Sequence, residues 1–145
     1  MGIYSYELFK FYDVDTIIRI GSAGAYTDRL NVFDIVLVDG SYSESSYAKV
    51  QGNENRNILY SNREVNNIIE NKANELGFRL TKGIVDCTDV FYKEDDKFNE
   101  LYEKYGCLAA EMETFSLFHN ANVTGKRASA ILTISDSLVT HTEIT

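Results

Sequence analysis

Three short stretches hold the residues whose types and spacing could do chemistry. The first, "RIGSAG", runs from Arg19 to Gly24 and offers a guanidinium, the Ser22 hydroxyl and backbone N–H groups among small residues. Glycine lets a backbone approach a ligand closely, and an Arg with a hydroxyl and amides suits an oxyanion such as phosphate. Its spacing is neither that of a Walker A loop, which ends in Gly-Lys-Ser/Thr, nor that of a dinucleotide fingerprint. A strand-turn with a surface Arg fits it equally well. The second, "AAEMET", sets Glu111 and Glu113 on either side of Met112 at the edge of an apolar run. Carboxylates are costly to bury without a partner, and the vicinal hydroxyls of a sugar would supply one. The competing reading is a helix start, where Glu113 favours the positive end of the macrodipole. Spacing alone favours the helix start, although it leaves Glu111 without a role. The third, "TISDS", places Ser135 and Asp136 directly after the apolar run "AILTI". Such a pair can cap a turn or helix, or it can present a proton-donating carboxyl at the mouth of a pocket. His119 and His141 are weak catalytic candidates, the first on the helix after Glu113 and the second near the end of the chain.

The elements that must position these stretches alternate between strand and helix patterns. A helix is expected over about Ser5–Phe11, then a β-branched strand "TIIRI" that ends in the small-residue turn "GSAGA". "DIVLVDG" reads as a second buried strand, and residues 41–57 as a polar loop with no regular period. "SNREVNNIIENKANELG" is the clearest helix, with Val65, Ile68, Ile69, Ala73 and Leu76 on one face. Ser61 with Glu64 reads as its capping box and Gly77 as its stop. "LTKGIV" follows as a strand, "DCTDVFYKEDD" as a loop, and "KFNELYEKYG" as a short helix ending at Gly106. "CLAAEM", "ETFSLFHNA" and "RASAILTISD" complete the pattern as strand, helix and long buried strand. This alternation predicts one α/β domain over 1–145 with a largely parallel or mixed sheet. All three chemical stretches then fall where strands end, which is where ligands gather in such sheets.

Composition narrows the function classes. An apolar fraction of 44% and an aromatic fraction of 12% over 145 residues fit a soluble globular domain with a continuous core. No apolar run approaches the ~20 residues needed to cross a bilayer, and the start carries no secretory pattern. A net charge of −8 argues against nucleic-acid binding, which needs clustered Lys and Arg. Cys87 and Cys107 fit no metal spacing or disulfide framework and read as reduced, buried thiols of a cytoplasmic protein.

Taken in order, "RIGSAG", "DVFY", "AAEMET" and "TISDS" resemble the nucleoside phosphorylase superfamily, and within it the bacterial hexameric purine nucleoside phosphorylases. The resemblance runs from "MGIYSYELF" to "THTEIT", with Tyr4 where the family commonly has proline. It implies a three-layer α/β fold around a central mixed sheet, incomplete here because family chains extend further at both ends. It also implies phosphorolysis of purine nucleosides to free base and ribose 1-phosphate. Arg19 and Ser22 would hold phosphate, while Glu113, Met112, Glu111 and Met1 would meet the ribose. Ala23, Gly24, Ala110, Phe91, Tyr92 and Ser135 would line the base pocket. Asp136 would be the general acid toward a purine ring nitrogen. Inorganic phosphate would be the co-substrate, with no metal or organic cofactor, and the partners would be the nucleoside and identical subunits, six by family.

Related families give the alternatives. Nucleosidases acting on methylthioadenosine and adenosylhomocysteine share an "EMET"-like segment and the Ser-Asp pair, but use water and typically lack an Arg at the position of Arg19. Uridine phosphorylases keep that Arg and usually lack the Ser-Asp pair. A different class of reading is a shortened, non-catalytic homologue that keeps a nucleoside-binding or subunit-interaction surface.

Overall fold

β-branched runs and amphipathic segments alternate along the chain as the sequence predicts. In the computed structural model, which describes residues 1–144, they build an α/β fold with a mixed sheet. Helix α1 (Gly2–Phe11) leads into β1 (Thr16–Ala25), and β2 (Ile35–Tyr42), α2 (Tyr47–Gly52) and β3 (Ile58–Tyr60) follow. Then come α3 (Arg63–Leu76), β4 (Leu80–Cys87), α4 (Phe98–Tyr105), β5 (Cys107–Glu111), α5 (Thr114–Thr124) and β6 (Arg127–Ser137). The strand order is β3-β2-β4-β5-β1-β6. β1 with β6, β2 with β4, and β4 with β5 are parallel, whereas β1 with β5 and β2 with β3 are antiparallel. The first half of β2 also pairs with β6, Ile35 opposite Thr133 and Leu37 opposite Ile131, so the sheet curls back on itself.

Helix α5 is the packing centre. Phe115, Leu117, Phe118 and Ala121 enter the main apolar cluster with Val36, Val38, Leu132 and Ile134 from the sheet. Its His119 and Asn120 are buried too, and each has a partner: Asn120 Nδ2 donates to the Gly2 carbonyl (2.8 Å) and Ser5 Oγ (2.9 Å). His119 Nε2 lies 2.5 Å from Gln51 Oε1. These bonds tie α1 and α2 to α5, and they explain why the segment shows no clean amphipathic period.

Several local expectations are revised. The "GSAGA" segment is not a turn: β1 runs on to Ala25 because β6 offers a parallel partner along its whole length. The 41–57 stretch contains the end of β2 and the helix α2, which is nucleated by stacked serine turns. There the Ser43 hydroxyl accepts from Ser45 N and the Ser45 hydroxyl from Tyr47 N. The α3 cap is Asn62, whose Oδ1 accepts from Val65 N at 2.9 Å; Ser61 instead donates to the Val38 carbonyl (2.6 Å). The face of α3 is rotated as well, burying Val65, Asn66 and Ala73 while Ile68 and Leu76 stay exposed. Asn66, hydrogen-bonded to Ser61 and Ser129, pulls that side onto the sheet. Gly77 and Gly106 do end their helices, at φ 78° and 72°.

Candidate active site

The sheet register lays one row across four strands. Asp86 stands opposite Ala110, Ala110 opposite Gly24, and Gly24 opposite Asp136. The two central residues are the smallest available, and a cavity of about 510 Å³ opens along them, reached by side chains from β1, β5, β6 and the loop after β4. At Gly24 a Cβ would come within 3.1 Å of the Asp136 carboxylate, so the missing side chain is what lets that carboxyl lie against the strand.

One end of the cavity is built on Arg19. Its Nη2 donates to Glu113 Oε2 at 2.6 Å, and its Nε, buried and without a hydrogen-bond partner, lies 3.5 Å from Glu111 Oε2. The guanidinium folds back over Gly21, where an added Cβ would sit 2.0 Å from Nη1. Gly21 is therefore the space that the guanidinium occupies. Ser22 also lines the cavity, with Met112 beside the carboxylates.

The two glutamates differ in kind. The Glu111 side chain is only 1% exposed, and its carboxylate accepts from Glu113 N (2.9 Å), Thr114 N (3.1 Å) and the Thr114 hydroxyl (2.5 Å). It thus satisfies the free N–H groups at the start of α5, a task the sequence pattern leaves unassigned. Glu113 is the residue preceding α5 but makes no side-chain cap; its carboxylate turns to Arg19 and the cavity. In "AAEMET" one carboxylate thus caps the helix and the other faces the cavity.

At the other end, Ser135 and Asp136 lie inside β6 rather than after it. Ala23 pairs with Ile134 and Gly24 with Asp136, which leaves Ser135 as the extra residue of a β-bulge. Bulges of this sort re-aim side chains. Here the Ser135 hydroxyl donates to Asp136 Oδ1 at 2.8 Å, and both residues face the cavity.

Phe91 lines the cavity from the loop after β4, together with Thr88, Val90, Lys93 and Asp96. Beneath them is a polar cluster that sequence reasoning missed. The Tyr26 hydroxyl donates to Asp86 Oδ2 at 2.7 Å, and Lys93 Nζ lies 3.5 Å from the same oxygen. Burial pushes the Asp86 carboxyl above the usual carboxylate range, opposed by the Tyr26 hydrogen bond and the Lys93 charge. Tyr26 is pushed up as well, by burial first and by Asp86 next. The sheet brings Tyr26, just past β1, to Asp86 in β4, and the loop after β4 returns Lys93 to the same carboxylate; no motif marks them.

Met1 and Tyr92 stand apart from the cavity. Met1 precedes α1, its carbonyl accepting from Ser5, and that helix is anchored to the middle of α5. Tyr92, 87% exposed, packs edge-on against Phe91 at a centroid distance of 4.9 Å and faces solvent. Ala23, Gly24 and Ala110 do line the cavity. The two cysteines are free and buried. Burial pushes the Cys107 thiol up to about 12 and raises Cys87 further, with the Glu111 charge adding to the latter. Neither is a nucleophile at neutral pH.

The family model described as the phosphorylase superfamily matches residues 2–144. The chain belongs to that superfamily. This superfamily member is 42% identical over 143 residues to the purine nucleoside phosphorylase, DeoD type, of Mycoplasma pneumoniae, and 43% identical over 145 residues to that of Mycoplasma genitalium. Each match covers 97% of this chain and 60% of the relative, so the chain spans about three-fifths of the length of these curated relatives. Among solved structures, a futalosine hydrolase mutant of Helicobacter pylori superposes with a TM-score of 0.83 at 17% identity, over 94% of this chain and 63% of that one. The 5'-methylthioadenosine/S-adenosylhomocysteine nucleosidase of the same organism superposes at 0.82 with 18% identity, over 93% and 61%. At these identities the likeness shows the shared fold. No described helix is long and apolar enough to cross a membrane.

Proposed function

We propose that the cavity is the substrate site of a purine nucleoside phosphorylase, converting a purine (deoxy)ribonucleoside and phosphate into free base and (deoxy)ribose 1-phosphate. The observation that carries this reading is that Arg19, Glu113 and Asp136, which lie far apart in sequence, open into one cavity of about 510 Å³. A volume in this range suits a nucleoside with a small anion.

The roles follow from charge. Arg19, with Ser22, holds phosphate, and Glu113 accepts from the ribose hydroxyls with Met112 against the sugar. Phe91 stands against the purine, over a floor of Ala23, Gly24 and Ala110. A phosphate oxygen forms a bond to the anomeric carbon as the glycosidic bond breaks, and the bonding pair leaves on the purine. Asp136, oriented by Ser135, transfers its proton to a purine ring nitrogen and is left as carboxylate for solvent to reprotonate. Arg19 keeps the phosphate beside the positive charge that develops on the sugar. None of these steps calls on a metal or organic cofactor. Purine salvage in the cytoplasm by a homo-oligomer, a hexamer by family, is the matching biological setting.

The test measures purified protein with inosine, with and without phosphate, following base and ribose 1-phosphate, alongside calorimetry of phosphate binding. Phosphate-dependent release of both products is expected, and Asp136→Ala should abolish it. Base release without phosphate would assign hydrolysis and remove the role of Arg19. Absence of both nucleoside and phosphate binding would overturn the proposal.

A further inference from the structure

The cluster under the base end of the cavity has no part in the steps above, yet it buries an acid. Asp86 lies in β4 with its side chain 4% exposed, and its Oδ2 is shared by the Tyr26 hydroxyl and the Lys93 ammonium. Tyr26 is itself packed at 5.6 Å from the Phe98 ring, so both lower members of the cluster belong to the rigid body of the sheet and α4. Lys93 belongs to the loop between β4 and α4.

That loop carries Phe91, and it is weakly held. Thr88 N donates to the Glu111 carbonyl at its start. Beyond that point its polar contacts, Lys93 aside, stay within the loop or run to the first turn of α4: Thr88 with Val90, Lys97 with Asp95, Asp96 with Phe98 N, and the Lys97 carbonyl with Leu101 N. Among the described residues, the Lys93–Asp86 pair is the one polar tie between residues 89–97 and the sheet. Phe91 remains 75% exposed, so its own packing does not fix it against the cavity.

We propose that Lys93 is a positioning residue, pinning the loop to the buried Asp86 so that Phe91 stands at the wall where the base docks. The pair suits this task because Asp86 cannot follow the loop outward. When Lys93 leaves, a buried carboxylate loses a counter-charge, and the closed position is favoured for that reason. Phe91 and Tyr92, packed edge to face, ride on this loop together. The identity of the docked group as a purine rests on the function proposed above, whereas the pinning of the loop does not.

Two readouts separate these claims in the full chain. The first is chymotryptic nicking after Phe91 and Tyr92, located by mass spectrometry. Lys93→Met and Asp86→Asn should each nick several-fold faster, by roughly three- to tenfold for the loss of one partly buried tie, while Lys93→Arg should stay near wild type. The second is quenching of 2-aminopurine riboside fluorescence, with phosphate affinity measured in parallel. Lys93→Met should weaken riboside binding by about tenfold with phosphate affinity unchanged, and Lys93→Arg should restore it. Equal nicking in wild type and Lys93→Met would overturn the pinning. Equal loss of riboside and phosphate affinity would mark general damage and overturn the positioning role. If no variant and no wild type binds the riboside, the purine reading fails, while nicking still decides the pinning.

Discussion

The proposed function sets phosphate and Glu113 in competition for the Arg19 guanidinium, and this competition yields a measurable prediction. The Nη2–Oε2 distance of 2.6 Å makes the pair a close, charge-assisted contact. Two unit charges about 4 Å apart attract by about 1 kcal/mol in water and about 4 kcal/mol at an effective dielectric of about 20. The Arg19 side chain is 14% exposed and that of Glu113 38%, which places the pair between those limits and discounts it for solvent screening. A net value of about 1–2 kcal/mol follows, and the proposed competition sets it against phosphate. Glu113→Gln keeps the shape, removes the charge, and should tighten phosphate roughly tenfold. The assay is calorimetric titration with phosphate at fixed ionic strength, for wild type, Glu113→Gln and Arg19→Met. The competition also implies coupling: a nucleoside whose hydroxyls engage Glu113 should tighten phosphate in wild type, and hardly at all in Glu113→Gln. Unchanged or weaker phosphate binding by Glu113→Gln would refute the competition. Unchanged binding by Arg19→Met would refute the phosphate role itself.

Three further outcomes follow from the geometry. Glu111→Ala should cost about 2–4 kcal/mol of stability by urea unfolding, because it strands the Glu113 and Thr114 N–H donors and the Thr114 hydroxyl in a buried place; a loss under about 0.5 kcal/mol would contradict the capping role, that being the range of surface changes. Gly21→Ala should displace the Arg19 guanidinium, whose Nη1 would lie 2.0 Å from the new Cβ, and lower phosphate affinity while the unfolding midpoint barely moves; equal phosphate affinity would show that the guanidinium is free to sit elsewhere. Burial holds the His119 imidazole below its usual range, against the pull of the Glu54 charge. A base with a lowered folded pKa binds fewer protons when folded, so stability should decline as pH falls below about 6.5 toward that lower folded value. Urea midpoints at pH 7.5 and 5.5 should therefore diverge more for wild type than for His119→Gln, and parallel declines would exclude His119 as the cause.

The elements were legible wherever local chemistry decides them. Gly77 and Gly106 stop their helices because each sits at positive φ, a local requirement that can be read from the residue alone. The sequence is silent where a distant partner decides. "GSAGA" has the composition of a turn, yet it is a strand because β6 pairs with it throughout. The buried face of α3 is rotated from its apolar stripe by Asn66, a polar residue whose partners on β6 and before the helix are invisible to periodicity. The Tyr26–Asp86 contact has the same origin, since the two are sixty residues apart and meet only through the sheet, with Lys93 brought to them by the loop after β4.

The same distinction separates the two carboxylates of "AAEMET". In sequence both flank Met112, and the helix-start reading gives a role to Glu113 and none to Glu111. One residue of offset at a strand end turns side chains to opposite sides, but these two are offset by two, so strand alternation would leave them on the same side. What divides them is the chain's departure from β5 at Glu111, before α5 starts at Thr114. Glu111, still in the strand, is aimed back under the new helix and saturated by its free N–H groups. Glu113, already out of the strand, has no such donors and must find its counter-charge in Arg19 or in a ligand. A carboxylate that is satisfied within the fold makes a poor sugar acceptor, whereas one held only by a competing guanidinium is released when that guanidinium takes an anion. The stretch therefore links fold and chemistry through one strand-to-helix junction: shortening it by a residue should destroy the α5 cap and the Arg19–Glu113 pair together, whereas Glu113→Gln should spare the first and remove only the second.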